Sequence, residues 1–112
     1  MYFFMSKEIN FHSPHHLSEI MENSGSFPIV IFKYSSNCGS SQRLEQTLKD
    51  KLNSKILIHK ITVQSQPILS KKIEEMFGIK HETPQIIVLR KNTVIYTANH
   101  EEISIESINA CI

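Results

Sequence analysis

Short runs of apolar residues, many of them β-branched, predict four strands, at residues 29–32, 56–63, 86–89 and 94–98. Apolar residues spaced three or four apart predict helices between and around them, over residues 14–23, 38–52, 65–77 and about 105–111. The expected order of elements is therefore α-β-α-β-α-β-β-α. The two strand–helix–strand links predict parallel pairing with right-handed crossovers, and the last two strands predict an antiparallel hairpin.

Residues that start and stop helices support these boundaries. Ser13-Pro14 is typical of a helix start, with Ser13 as the N-cap and Pro14 at the first helical position. Gly78 follows the third predicted helix, where a glycine commonly ends a helix in the left-handed conformation. Residues 90–93 form the tight connection of the hairpin. No internal repeat or linker interrupts the pattern, so we expect one domain over residues 1–112.

Composition narrows the class of protein. Of the 112 residues, 40% are hydrophobic and 21% are charged, which is typical of a soluble globular chain. A formal net charge of +1 gives no electrostatic reason to expect nucleic acid or an anionic membrane as a partner. The apolar start, residues 1–5, is too short for a membrane span and lacks the basic region of a signal peptide. With only two cysteines, we expect a cytoplasmic protein.

Cys38 is the candidate nucleophile. It follows the first strand and the segment Ser35-Ser36-Asn37, whose side chains are typical helix caps, so it falls at the first turn of a helix. The unpaired amides and the dipole at a helix N-terminus stabilise a thiolate and lower the pKa of a cysteine there. Ser41 makes the motif C-x-x-S, a Cys-x-x-Cys pattern with a hydroxyl in place of its second sulfur. The alternative is a small buried hydrophobe without reactivity.

Histidines near the N-terminus do not predict a metal site. His12 and His16 are four residues apart, but they share a helix face only if the helix begins before Pro14. We therefore interpret His12, His15 and His16 as surface residues and expect no metal.

The complete layout resembles the thioredoxin fold over about residues 13–110. A cysteine lies at the first strand-to-helix turn, and Thr83-Pro84 immediately precedes the first hairpin strand. The resemblance implies an α/β fold with a central four-stranded mixed sheet flanked by helices. It also implies that Pro84 is cis and faces Cys38, whereas the alternative is a trans proline that starts an edge strand.

Two stretches are similar to the monothiol bacilliredoxins, small thioredoxin-fold proteins of bacteria that use bacillithiol. They are Phe-Lys-Tyr-Ser at residues 32–35 and Phe-Gly-Ile-Lys-His-Glu-Thr-Pro-Gln at residues 77–85. The active site of that family usually reads Thr-Cys-Pro-Ile-Ser. Residues 37–41 read Asn-Cys-Gly-Ser-Ser instead, so the cysteine and the final serine match while the three other positions differ.

The resemblance implies a monothiol thiol–disulfide oxidoreductase. Cys38 would take a small thiol, bacillithiol or a similar molecule, from a protein mixed disulfide. The small thiol is then a co-substrate, no cofactor is bound, and the partners are S-thiolated proteins met by a monomer or weak dimer. The residues expected to bind substrate are Ser41, Thr83, Pro84, Lys33 and His81.

Other interpretations remain open at this point. Ser41 also suits a plain first-turn serine, Lys33 a strand-end lysine that reaches water, and His81 an exposed loop. The chain is also compatible with a glutaredoxin-like protein for another small thiol. A further alternative is a non-catalytic thioredoxin-fold module that binds a partner, or an iron–sulfur cluster through Cys38 of two subunits.

Overall fold

The computed structural model describes residues 9–53 and 56–112. Its strands are β1 (Asn10–His12), β2 (Ile29–Tyr34), β3 (Leu57–Thr62), β4 (Gln85–Arg90) and β5 (Thr93–Asn99). Its helices are α1 (Leu17–Asn23), α2 (Gly39–Lys51), α3 (Pro67–Phe77) and α4 (Ile105–Cys111), with a 3₁₀ turn at His100–Glu102 between β5 and α4. The predicted strands and helices are thus all present.

The sheet has five strands in the order β1-β3-β2-β4-β5. β3 is parallel to both β1 and β2, whereas β4 is antiparallel to β2 and β5 is antiparallel to β4. This is the mixed, helix-flanked sheet that the resemblance implied, with one strand more than the predicted four. The sequence pattern missed β1 because this strand has three residues, of which only the middle one, Phe11, is apolar.

One of the two predicted parallel links is wrong. The link β2–α2–β3 is parallel as predicted, but the link β3–α3–β4 is not. After α3 the chain enters β4 at the end of the sheet where β2 finishes. β4 therefore begins with Gln85 beside Lys33 and runs in the opposite direction to β2. Because of this reversal, the end of β2 and the start of β4 lie side by side, and the candidate site lies at this end of the sheet.

The first helix begins at Leu17, three residues after the predicted start at Pro14. The carboxylate of Glu19 accepts hydrogen bonds from the backbone N–H groups of His15 at 2.8 Å and His16 at 3.3 Å. Those amides are therefore capped from within the helix, which satisfies donors at its N-terminus. The hydroxyl of Ser13 bonds to Gln66 at 3.4 Å rather than capping α1.

The two faces of the sheet bury separate hydrophobic cores. Val30 and Phe32 point to one face and pack with residues of α2 and α4. Ile29 and Ile31 point to the opposite face and pack with residues of α1 and α3. Because side chains alternate along a strand, Lys33 follows Ile31 onto the α1–α3 face. Among the described residues, no helix is long and apolar enough to cross a membrane.

Several local signals act as the sequence predicted. Gly78 ends α3 in the left-handed conformation, with φ of 66°, which a glycine adopts at little cost. Lys91 and Asn92 connect β4 to β5 with φ of 51° and 59°, the signs of the tight turns that join hairpin strands. In addition to these predicted signals, Ser104 caps α4 by accepting a hydrogen bond from the Ser107 amide at 3.1 Å.

Candidate active site

Cys38 occupies the N-cap position of α2, directly after the loop that leaves β2. Its own N–H donates to the carbonyl of Ser35 at 3.2 Å, and its carbonyl accepts from the Gln42 amide at 3.3 Å. The thiol is partly exposed. The backbone N–H of Ser41 is the main cause that lowers the pKa of Cys38, with the Ser41 hydroxyl and Ser40 adding to it and desolvation opposing it. The local geometry therefore favours the thiolate.

Ser41 is fully buried in the first turn of α2. Its Oγ accepts a hydrogen bond from the Ser35 amide at 3.2 Å. A hydroxyl has one hydrogen to donate while it accepts, so Ser41 can donate to the sulfur of Cys38 as it holds the preceding loop. The arrangement puts a hydroxyl where a Cys-x-x-Cys protein has its second sulfur.

Gln64, which follows β3, holds the loop that precedes Cys38. Its Nε2 donates to Oγ of Ser35 at 2.7 Å, and its Oε1 accepts from the Ser36 amide at 3.0 Å. Oγ of Ser35 also accepts from the Asn37 amide at 3.3 Å. These bonds fix the backbone that positions the thiol. Sequence reasoning missed Gln64 because nothing near it in the chain indicates a bond to a loop so distant in sequence.

The peptide bond between Thr83 and Pro84 is cis, which confirms that part of the prediction for Pro84. Pro84 is buried, and its carbonyl accepts a hydrogen bond from the His100 amide at 2.9 Å. Pro84 and Ser40 line the same cavity, so the first turn of α2 and the loop before β4 face each other. Contact between Pro84 and the Cys38 side chain stays a prediction.

Lys33 is fully buried, so its ammonium group does not reach water. Its Nζ donates to the carbonyl of Ser70 at 2.9 Å and lies 3.3 Å from Nδ1 of His81. Burial lowers the pKa of Lys33, and the charge of Glu74 partly offsets this. Within residues 9–53 and 56–112, Lys33 has no carboxylate within ion-pair distance. Its buried charge makes Lys33 a candidate residue of a functional site.

His81 lies beside Lys33 on the α3 side of the site. Its Nδ1 is 3.1 Å from Oγ of Ser70, and its backbone N–H donates to Glu74 at 2.8 Å. Since Lys33 can only donate, Nδ1 of His81 acts as an acceptor, which leaves the proton on Nε2. Desolvation and the charge of Lys33 lower the pKa of His81. A cavity of about 380 Å³ opens next to this ring.

The expected residues therefore lie in two groups. Cys38 and Ser41 are at the first turn of α2, whereas Lys33 and His81 contact each other on the α1–α3 face. The structure also adds His100, which sequence reasoning missed. It adopts a left-handed φ of 54°. Its backbone N–H donates a hydrogen bond to the Pro84 carbonyl, and its Nε2 is 2.9 Å from the Glu82 carboxylate. The residues around it in the chain carry no motif that indicates this position.

The N-terminal histidines are exposed, as interpreted from the sequence. His12 contacts Glu19 at 3.3 Å, and the rings of His15 and His16 are 6.5 Å apart. No group of three or more His, Cys, Asp or Glu residues in the described part of the chain is arranged to hold a metal ion.

Comparison with solved structures identifies the fold. A thioredoxin-fold protein provisionally assigned as an oxidoreductase superposes with a TM-score of 0.72 at 18% identity, over 92% of each chain. Thioredoxin from Malassezia sympodialis gives a TM-score of 0.68 at 14% identity, over 98% of this chain and 92% of that one. Thioredoxin f from spinach chloroplast gives 0.65 at 17% identity, over 93% of each chain. The protein therefore has a thioredoxin fold.

Comparison with family models identifies the family. The model of monothiol bacilliredoxin BrxC matches residues 9–108, a span that holds both the cysteine turn and the Thr83–Pro84 segment. This match supports a role in thiol redox chemistry, in agreement with the thiolate-stabilising position of Cys38. The chain belongs to the monothiol bacilliredoxin family.

Proposed function

We propose that this protein is a monothiol thiol–disulfide oxidoreductase that removes bacillithiol from protein mixed disulfides through Cys38. The observation that carries the proposal is the position of Cys38 at the N-cap of α2, with buried Ser41 three residues later. The thiolate is the nucleophile in disulfide exchange, and this position lowers the pKa of the thiol.

The first step forms a mixed disulfide on the protein. The thiolate of Cys38 attacks the bacillithiol sulfur of a protein–bacillithiol disulfide. The new bond joins Cys38 to bacillithiol, the old sulfur–sulfur bond breaks, and the substrate protein leaves as a thiolate. Ser41 cannot attack this intermediate, because a hydroxyl does not undergo disulfide exchange. The intermediate therefore persists until a second thiol arrives.

The second step regenerates the enzyme. The thiolate of a second bacillithiol molecule attacks the sulfur of the bound bacillithiol. Bacillithiol disulfide forms, and Cys38 leaves as a thiolate that the Ser41 hydroxyl and the first amides of α2 stabilise. The second bacillithiol supplies the reducing electrons, so no bound cofactor is needed.

Residues of the loop before β4, together with Lys33 on β2, provide the proposed substrate contacts. The backbone of Thr83, next to buried Pro84, pairs with an extended segment of the thiolated protein, as a sheet edge does with an added strand. His81 presents its Nε2–H to polar groups of the substrate on the α3 side. Lys33 acts through His81, because it holds Nδ1 of that ring.

Intact mass spectrometry tests the proposal. The protein is incubated separately with bacillithiol disulfide and glutathione disulfide, and the adduct is mapped to a peptide. We expect one bacillithiol adduct on Cys38, none in Cys38→Ser, and an unchanged adduct in Cys111→Ser. Reduced bacillithiol should then remove the adduct.

Each result has a separate meaning. An adduct with glutathione at an equal or higher rate would support the glutaredoxin-like alternative. Lack of reaction with either disulfide would contradict the proposed activity and favour a non-catalytic module. A second assay uses a model protein carrying a bacillithiol mixed disulfide, from which wild type should release the thiol and Cys38→Ser should not.

A further inference from the structure

A cavity of about 260 Å³ lies beside the cysteine turn, on the face of the sheet that α2 and α4 cover. Ser40 and Arg43 of α2 form one wall, Pro84 forms another, and His100 and Glu101 of the 3₁₀ turn close the rim. It lies on the opposite face of the sheet from Lys33 and His81. Its volume is near the lower end for ligand pockets, which suits part of a small molecule better than a folded protein surface.

Arg43 is the free cation of this cavity. Its guanidinium folds back over the first turn of α2: one nitrogen donates to Oγ of Ser40 at 3.2 Å. Another would lie only 3.3 Å from a Cβ at Gly39, so the glycine that follows Cys38 leaves the space that the guanidinium uses. In the part of the chain that the structure describes, Arg43 has no carboxylate within ion-pair distance. Most of its five N–H donors are therefore available to a ligand.

Two acidic residues lie near the cavity, and one of them, Glu82, is already paired with His100. Nε2 of His100 bonds to Glu82 at 2.9 Å, and this bond is the main cause that raises the pKa of His100. The negative charge of Glu82 is thus paired with His100 rather than with Arg43. Glu101 is exposed on the rim. The unpaired charge on the α2 wall is positive, and its guanidinium lies over Gly39 and Ser40, the two residues that follow Cys38.

His100 holds the wall of the cavity that Pro84 forms, opposite α2. Its left-handed φ of 54° is uncommon for a residue with a side chain, although histidine is among the residues that adopt it more often. His100 is held against the loop before β4 by two hydrogen bonds. Its backbone N–H donates to the Pro84 carbonyl, and its side chain bonds to Glu82. The side of the cavity that Pro84 and His100 form is therefore held by two hydrogen bonds.

From this arrangement we infer that the cavity binds a carboxylate of the small thiol while its sulfur is joined to Cys38. Arg43 donates to the carboxylate, and Ser40 holds the guanidinium in position. The inference rests on the proposed function and adds to it a substrate class: the preferred small thiols are those with a carboxylate within reach of the cysteine turn. Neutral and cationic thiols of equal size lack this contact.

The test compares three symmetrical disulfides of similar size. They are the disulfides of 3-mercaptopropionate, 2-mercaptoethanol and cysteamine, which are anionic, neutral and cationic. The rate of Cys38 modification with each is divided by the rate for a short peptide thiol under the same conditions. We expect the anionic disulfide to exceed the neutral one by about two- to fivefold, the effect of one ion pair to an exposed arginine. The preference should fall as salt is raised.

Matched arginine variants localise the effect. Arg43→Gln should abolish the preference for the anionic disulfide, and Arg43→Lys should retain part of it. Arg90→Gln makes the same charge change at the far end of β4, on an exposed residue, and should leave the preference unchanged.

The possible failures are distinguishable. Equal normalised rates for all three disulfides in wild type, or an undiminished preference in Arg43→Gln, would overturn the carboxylate site while exchange at Cys38 stands. Lack of modification by any disulfide would contradict the proposed function itself. A preference for anionic segments in thiolated peptides, without one among the small disulfides, would assign the cavity to the protein substrate and also overturn the inference.

Discussion

Nζ of Lys33 lies 3.3 Å from Nδ1 of His81, so a fully buried ammonium group holds an imidazole that is itself exposed. The two residues are far apart in the chain, on β2 and in the loop before β4. The carbonyl and hydroxyl of Ser70 on α3 complete the contact. The resemblance implied that both residues bind substrate, and the fold shows that the lysine contacts the histidine rather than solvent.

This contact predicts a coupled titration. Desolvation is the main cause that lowers the pKa of His81, and the charge of Lys33 is the next. Removing that charge with Lys33→Met should therefore raise the pKa of His81. The pKa is measured from the chemical shifts of the imidazole C–H protons as a function of pH.

Lys72→Met is the matched control, because Lys72 is exposed on α3 and is not a cause of the His81 shift. It should leave the pKa of His81 nearly unchanged. If Lys33→Met and Lys72→Met have equal effects on His81, then the contact between Lys33 and His81 does not set this pKa.

Ser41→Ala should raise the pKa of Cys38 and slow its reaction with disulfides at neutral pH. The Ser41 hydroxyl is one of the groups that lower this pKa, while the Ser41 amide, the main cause, remains in the variant. The pKa of Cys38 should thus stay below the free-thiol value of about 8.5. The pH dependence of iodoacetamide labelling measures it.

The same substitution should also destabilise the fold. It leaves the Ser35 amide without the acceptor that it has at 3.2 Å, at a cost of about 1–3 kcal/mol. Ser36→Ala, which changes an exposed serine in the same loop, is the control and should alter neither quantity. An unchanged Cys38 pKa in Ser41→Ala would show that the hydroxyl does not stabilise the thiolate.

Elements with a complete hydrophobic pattern could be predicted from the sequence. α2 through β5 each have enough apolar positions, and Gly78 marks the end of α3 by its own conformational preference. β1 could not be predicted, because a three-residue strand has too few positions to show a pattern. The start of α1 was displaced because Glu19, a residue inside the helix, caps the amides of His15 and His16.

The candidate site divides in the same way. Cys38 and Pro84 stand in motifs that can be read locally, and the cis bond at Thr83–Pro84 followed from the resemblance. Arg43 and His100 could not be predicted, because their importance depends on the side chains that the fold brings near them. The orientation of Arg43 depends on the space above Gly39, and that of His100 depends on Glu82.

The protein should lose stability as the pH falls into the mildly acidic range, because His59 is buried in its neutral form. Its side chain is fully buried on β3, its Nδ1 has no hydrogen-bond partner within residues 9–53 and 56–112, and burial lowers its pKa to about 4. Between that value and about 6.5, the unfolded chain binds a proton that the folded protein does not. Stability is therefore lost as the pH falls through this window, by at most about 3 kcal/mol.

Urea unfolding at about pH 7 and about pH 4.5 measures this dependence. His59→Leu should lose less stability than wild type between the two conditions, because it has no group to protonate there. His15→Gln, which changes an exposed histidine, should behave as wild type does. An equal loss of stability in wild type and His59→Leu would show that other groups control acid unfolding.

Cys111 should not resolve a mixed disulfide on Cys38. Asn109 of α4 accepts a hydrogen bond from the Asn53 amide at 2.8 Å and donates to the Lys51 carbonyl at 3.2 Å, so the last turn of α4 is joined to the last turn of α2. Cys38 is at the other end of α2, whose 13 residues span about 20 Å. A disulfide needs its Cα atoms about 4.4–6.8 Å apart, so the two sulfurs meet only if α4 detaches.

Mild oxidation with diamide followed by peptide mapping should give no intramolecular link between Cys38 and Cys111 in the folded monomer. Cys111→Ser should keep its exchange activity while Cys38→Ser loses it, and a Cys38–Cys111 disulfide would refute the monothiol mechanism.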